Sequence, residues 1–251
     1  MNQAFRDKII ELFEYRKLPT LISYGGHLWD EQYYEMLIQL QYDIYLLDEV
    51  LESHWEVDMD IIADKWVDIH DDLRALSVPE HMIDKYCNHI YKYQRHELDL
   101  RRGKLPTRLS MEYFYFYKSC DVKLLRRLIY DHNPQLSRLI PTADWRLFDL
   151  VTEINDDVVD LQEDVTTING NRFLISYLQY GKETTVGTFY SYLDDLQLRN
   201  DQREPSPSVL DYNQWTTDQI RATKDLVLSQ AEQFDKVDLS LYNTYLGLVS
   251  V

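Results

Sequence analysis

The chain has 251 residues, 45% of them hydrophobic, and only seven Gly and seven Pro. So few breakers favour a mostly helical domain over a sandwich or barrel. A formal net charge of −17 argues against nucleic acid or an anionic membrane as partner, because neither tolerates an acidic surface.

The apolar spacing predicts helices over 3–17, 28–55, 59–76, 79–101, 109–131, 143–166, 171–180, 184–201, 209–236 and 238–248, read as one all-α domain covering 1–251. The breaks have causes. Gly25-Gly26 ends the first connection, Pro79 suits an early helix position, and Gly103-Lys-Leu-Pro106 separates two helices. Asn133-Pro134 and Pro141-Thr142 bracket a short piece, with Thr142 a candidate N-cap. Asn169-Gly170 breaks the chain again, and Arg203-Glu-Pro-Ser-Pro-Ser208 reads as a loop. Cys87 and Cys120 have no paired spacing, so neither a disulfide framework nor a zinc site is expected. With no run near the ~18 apolar residues of a membrane span and no signal-peptide core, the expectation is a cytoplasmic protein without stable membrane insertion.

Two acidic stretches stand out. In Glu153-Ile-Asn-Asp-Asp-Val-Val-Asp-Leu-Gln-Glu-Asp164, which continues the apolar run from Trp145, Asp156, Asp160 and Asp164 lie about 40° apart in succession and share a helix face. Dry, each close pair costs on the order of 4 kcal/mol at an effective dielectric near 20, so the row is solvated or neutralised. A row of oxygen ligands suits a hard divalent cation. The second stretch, Tyr42-Asp43-Ile-Tyr-Leu-Leu-Asp48-Glu49-Val-Leu-Glu52, puts Asp48 and Glu52 one turn apart. The plain alternative for each is a solvated helix face, which is how Asp68, Asp71 and Asp72 read. Arg101, Arg102, Arg126 and Arg127 likewise read as surface.

Together these residues resemble class I terpene synthases of the isoprenoid synthase fold. Asp48-Glu49-Val-Leu-Glu52 is similar to the aspartate-rich DDxx(D/E) motif, with Glu at the second Asp. Asp156-Asp157-Val-Val-Asp160-Leu-Gln-Glu-Asp164 is similar to the second metal motif, (N/D)Dxx(S/T)xxxE, with Asp at the later positions; starting instead at Asn155 puts Val159 where a ligand is needed. Thr107-Arg108-Leu-Ser-Met-Glu-Tyr-Phe-Tyr-Phe-Tyr-Lys118-Ser-Cys-Asp121 resembles the segment that carries a diphosphate-sensing Arg, with Ser119-Cys120-Asp121 where a helix break falls. The chain departs from the pattern at its C-terminal end, Leu-Tyr-Asn-Thr-Tyr-Leu-Gly, where the Arg-Tyr pair is missing.

The resemblance implies a helical bundle around a central cavity and three Mg²⁺ ions held by Asp48, Glu49, Glu52, Asp156, Asp160 and Asp164. It implies catalytic roles for Arg108 and Asp121, and a prenyl diphosphate, farnesyl by family frequency, bound by Arg108, Lys118, Asn171 and Arg172. A homodimer is compatible with it. An Arg fork suits phosphate oxygens. The aromatic run Tyr113–Tyr117, with Trp66 and Phe148, offers ring faces for a carbocation, each worth ~2 kcal/mol or more when desolvated, although core packing is the default for such a stripe. Asp160-Leu-Gln-Glu-Asp164 followed by Asn169-Gly-Asn-Arg-Phe173 also resembles squalene and phytoene synthases, which join two prenyl diphosphates head to head. A non-catalytic helical interaction protein is the third reading.

Overall fold

A computed structural model describes residues 1–25, 30–204, 208 and 210–234. Among them the chain forms thirteen α-helices and no strand, and none of the helices is long and apolar enough to cross a membrane. The helix expected over 238–248 and positions 205–207 of the loop lie outside the described residues. The chain divides into two compact units, residues 1–94 with 120–139, and residues 95–119 with 140–251.

The first unit contains α1 (Gln3–Tyr15), α2 (Leu18–Ser23), α3 (Glu31–Ser53), α4 (Met59–Ala75) and most of α5 (Ile83–Leu100). Asn2, Asp30 and Asp58 cap α1, α3 and α4, each accepting from a backbone N–H of the first turn. Lys17 is left-handed, with φ of 61°, and Pro19 follows in the first turn of α2, so α1 stops short of the expected 17 and a second helix begins. In α3, Tyr33, Leu37, Leu40, Ile44, Leu47 and Leu51 are buried at helical spacing. In α4, Ile62, Trp66, Ile69 and Leu73 are buried in the same way, and the two helices pack side by side. Asp68 and Asp71 are exposed as expected, but Asp72 is half-buried. Arg126 also departs from expectation. It is 3% exposed and donates to the Arg16 carbonyl, because its position on the next helices shares the apolar face.

The expected helix over 109–131 is two helices, α6 (Met111–Lys118) and α7 (Cys120–His132), with the break at Ser119. α7 and the short α8 (Leu136–Leu139) belong to the first unit and α6 to the second. The second unit continues with α9 (Trp145–Val159), α10 (Leu161–Asp164), α11 (Arg172–Tyr180), α12 (Lys182–Asp201) and α13 (Tyr212–Phe234). Thr142 lies inside a 3-10 turn, Thr142–Asp144, rather than capping α9. α9 is buried on nearly all sides and packs on α6, α11, α12 and α13. Glu112 of α6 binds Arg199 of α12 at 2.9 Å and also Arg146 of α9, tying three helices at the surface.

Phe189, fully buried on α12, meets Phe173 edge-on with ring centres 4.9 Å apart. Phe189→Ala is expected to destabilise the protein by about 3–5 kcal/mol, read by urea denaturation.

Candidate functional site

α9 carries three acids inside its buried surface, Asp149, Glu153 and Asp157, each 5% exposed or less. The helical hydrogen bonds continue past its end. Asp160 N–H donates to the Asp156 carbonyl at 2.9 Å, and Asp164 N–H to the Asp160 carbonyl at 2.8 Å. α9 stops at Val159 and α10 begins at Leu161, with Asp160 at ψ 5° between them, and these two bonds carry the turns across the join. Glu153, Asp157 and Asp164 fall within about 40° of one another, and form an inner row beside the row 156/160/164.

Asp157, with no exposure, is the hub of the inner row. Lys118 at the end of α6 forms an ion pair with its Oδ1. The Tyr115 hydroxyl donates to Oδ2 at 2.8 Å, and the Arg172 backbone N–H donates to the same oxygen at 2.9 Å. That last donor sits at the N-terminus of α11, where exposed N–H groups favour an anion. Burial alone would lower the Lys118 pKa, but Asp157, Asp164 and Glu153 outweigh it and hold the ammonium well above its ordinary range. Burial, then the neighbouring Asp157 charge, pushes the Tyr115 phenol well above its ordinary value, so it remains a donor.

The loop after α10 secures Asp164. Asn169 Nδ2 donates to Oδ1 and Asn171 Nδ2 to Oδ2, each at 2.6 Å. Even so, burial pushes the Asp164 carboxyl up to about 7, with Lys118 and Asn171 opposing and Asp157 and Asp160 adding to the rise. Asn171 also donates to the Asp157 carbonyl and accepts from Leu174 N–H, so both its amide hydrogens and its oxygen are engaged. Gly170 sits against Glu97, whose carboxyl oxygen lies 2.7 Å from where a Cβ would be, so a larger residue there displaces the end of the Glu97 side chain.

The structure thus gathers Lys118, Asp164, Asn171 and Arg172 around Asp157. Arg172 is buried, and its Nη1 donates to the carbonyls of Pro106 and Leu109 at 2.7 and 2.8 Å. It braces the turn Pro106–Arg108, on which Arg108 itself is exposed. Asp156 is half-buried and Asp160 exposed. In the first unit, α3 holds Asp48 and Glu52 half-buried and Glu49 exposed, and Asp121 on α7 accepts from Gln41 at 3.0 Å. Sequence reasoning missed Glu153, Asp157, Tyr115 and Asn169. The i, i+4, i+11 spacing of Glu153, Asp157 and Asp164 carried the signal for the inner row.

The outer row offers hard oxygen donors, the kind Mg²⁺ takes. Among the described residues no three His, Cys, Asp or Glu side chains are gathered to hold a metal. Mg²⁺ usually takes one or two carboxylates and completes its shell with water and substrate phosphates. Comparison with family models, curated proteins and solved structures finds no match.

Asp157→Ala removes the acceptor of Lys118, Tyr115 and the α11 N-terminus together. A loss of about 3–5 kcal/mol is expected. Asp156→Ala, at a half-buried position outside that hub, should cost less than Asp157→Ala. Chemical denaturation of the two variants compares them directly.

Proposed function

We propose that the chain is an Mg²⁺-dependent prenyl diphosphate enzyme of class I terpene synthase type, with farnesyl diphosphate as the favoured substrate. The observation that carries this reading is the outer row. Asp156 and Asp160 stand one turn apart at the C-terminal end of α9, Asp156 half-buried and Asp160 exposed, with Asp164 a further turn on at the end of α10. In this reading Asp156 and Asp160 offer their carboxylates to a hydrated cation, Asp160 exposed and Asp156 half-buried. Bound Mg²⁺ supplies Lewis-acid stabilisation of the departing diphosphate.

In this reading Arg108 binds diphosphate directly, from a turn held by the Arg172 guanidinium. Asn171 positions Asp164 and the start of α11. Lys118 keeps Asp157 neutralised, so that a carboxylate-rich segment tolerates burial. Aromatic side chains of a central cavity would shelter the carbocation. Asp121 stands as a further catalytic residue.

One observation favours a second reading, a non-catalytic helical protein. Asp157, Asp164 and Asn171 are already engaged by protein partners, so the inner row is complete without a ligand.

Purified protein incubated with geranyl, farnesyl and geranylgeranyl diphosphate plus Mg²⁺ is expected to release pyrophosphate and a C15 hydrocarbon, and EDTA should abolish both. Asp156→Ala should lose this activity while melting normally. A C30 or C40 product would instead indicate head-to-head joining. No product, together with no rise in melting temperature on adding Mg²⁺ and pyrophosphate, would leave the non-catalytic reading standing.

A further inference from the structure

Gln41 lies on α3 among the buried residues Leu37, Leu40, Ile44 and Leu47, and none of its own surface reaches water. An apolar side chain at that position has no polar group to satisfy. The amide instead leaves its Oε1 buried with no donor among the described residues, and an unmet buried acceptor is unfavourable. What the amide does supply is its Nε2–H, which donates to Asp121 Oδ2 on α7 at 3.0 Å. An ionised carboxylate only accepts, so it fixes which end of the amide faces it. The other carboxylate oxygen, Oδ1, accepts from the Val122 N–H at 2.7 Å. With one donor on each oxygen, the Asp121 carboxylate is held in a single orientation, with Oδ2 toward α3.

The place of Gln41 on its helix matters as well. At 100° per residue, Gln41, Asp48 and Glu52 fall within about 40° of one another. Gln41 therefore lies about 10 Å along α3 from Asp48, on the same side. Asp48 and Glu52 are half-buried and Gln41 is fully buried, so Gln41 marks the inner end of that acidic side. Asp121 meets it there from a second helix of the same unit.

We propose that Gln41 is a positioning residue, set in the core of the first unit to hold Asp121 at the inner end of the acidic side of α3. The inference rests on the reading of Asp121 as a catalytic residue and narrows it, since it assigns Asp121 to the side of α3 that carries Asp48 and Glu52. The plainer role for the pair is a structural pin. Asp121 stands in the first turn of α7, where an acid suits the helix N-terminus, and Gln41 then does no more than fasten α7 to α3. The two roles differ in what removing the amide does.

Gln41→Met keeps the length of the side chain and removes both polar atoms. With the unmet acceptor gone, the full-length variant should melt at or above the parent temperature. Asp121, without its donor, should pass from one χ1 rotamer to an average of several, read from three-bond couplings about its Cα–Cβ bond. In turnover of prenyl diphosphate with Mg²⁺, kcat should fall by up to about a hundredfold while KM stays close to that of the parent. A structural pin gives the opposite pattern, a lower melting temperature with kcat unchanged. A lower melting temperature, failure of the variant to fold, or an unchanged kcat in an active parent each overturns the proposal. A parent that turns over no prenyl diphosphate fails the catalytic reading by itself, and the couplings then decide the positioning. Asp121 fixed in the parent and averaged in Gln41→Met supports it, and Asp121 fixed in both overturns it.

Discussion

The buried pair of Lys118 and Asp157 is the constraint around which the second unit is arranged. A carboxylate with no contact with water is strongly unfavourable unless it is paired and hydrogen-bonded. Its partners come from three places: the end of α6, the ring of Tyr115 one turn earlier, and the first N–H of α11. Each dictates something about the chain. α6 ends at Lys118, where the ammonium reaches Asp157, and Ser119 follows as the break. The Asn169-Gly-Asn171 loop turns tightly enough, against Glu97, to aim the α11 N-terminus back at α9. Arg172 then carries the constraint outward to the turn bearing Arg108.

This arrangement divides the acidic stretch into two rows with different roles. Glu153, Asp157 and Asp164 face Lys118 and belong to the architecture. Asp156 and Asp160 lie a step round the helix toward water. Asp164 belongs to both rows, one turn beyond Asp160 and two beyond Asp157. It is gripped by two amides and a nearby ammonium, yet burial still pushes its carboxyl up to about 7. The proposed cation chemistry therefore rests on the outer residues, while the inner residues give the segment its stability. Removing an inner acid and removing an outer acid are different experiments, although the two can be adjacent in sequence.

Much of the helical order was legible, because period and breakers act locally. The limits of α3, α4 and α13 follow apolar spacing to within a few residues, with Asp30 and Asp58 capping the first two, whereas the helix expected over 143–166 stops at Val159 and resumes as α10. The site was legible only as a stretch. Spacing says which residues share a face, but not which face meets a neighbouring helix. Asp156, Asp160 and Asp164 were chosen by register, whereas the contact with α6 selects Asp157 and Asp164. Asn171 and Arg172 stood near the acids as expected, but their donors go to Asp157, Asp164, Pro106 and Leu109, partners that only the folded chain brings near. Asp72 and Arg126 read as surface because a charged residue in a polar window looks solvated until its helix is turned against another.

With 43 Asp and Glu against 26 Lys and Arg, cations are the scarcer charge in this chain. The second unit gives Asp157 an ammonium, a phenol and a helix N-terminus, donors that keep their charge or hydrogen throughout the neutral range. Asp164 is gripped by two neutral amides, with the Lys118 charge acting on it as well, and burial still pushes its carboxyl up to about 7. In a segment this acidic, a buried carboxyl keeps its charge where an ammonium pairs with it directly, and gives ground to burial where its hydrogen bonds come from neutral groups.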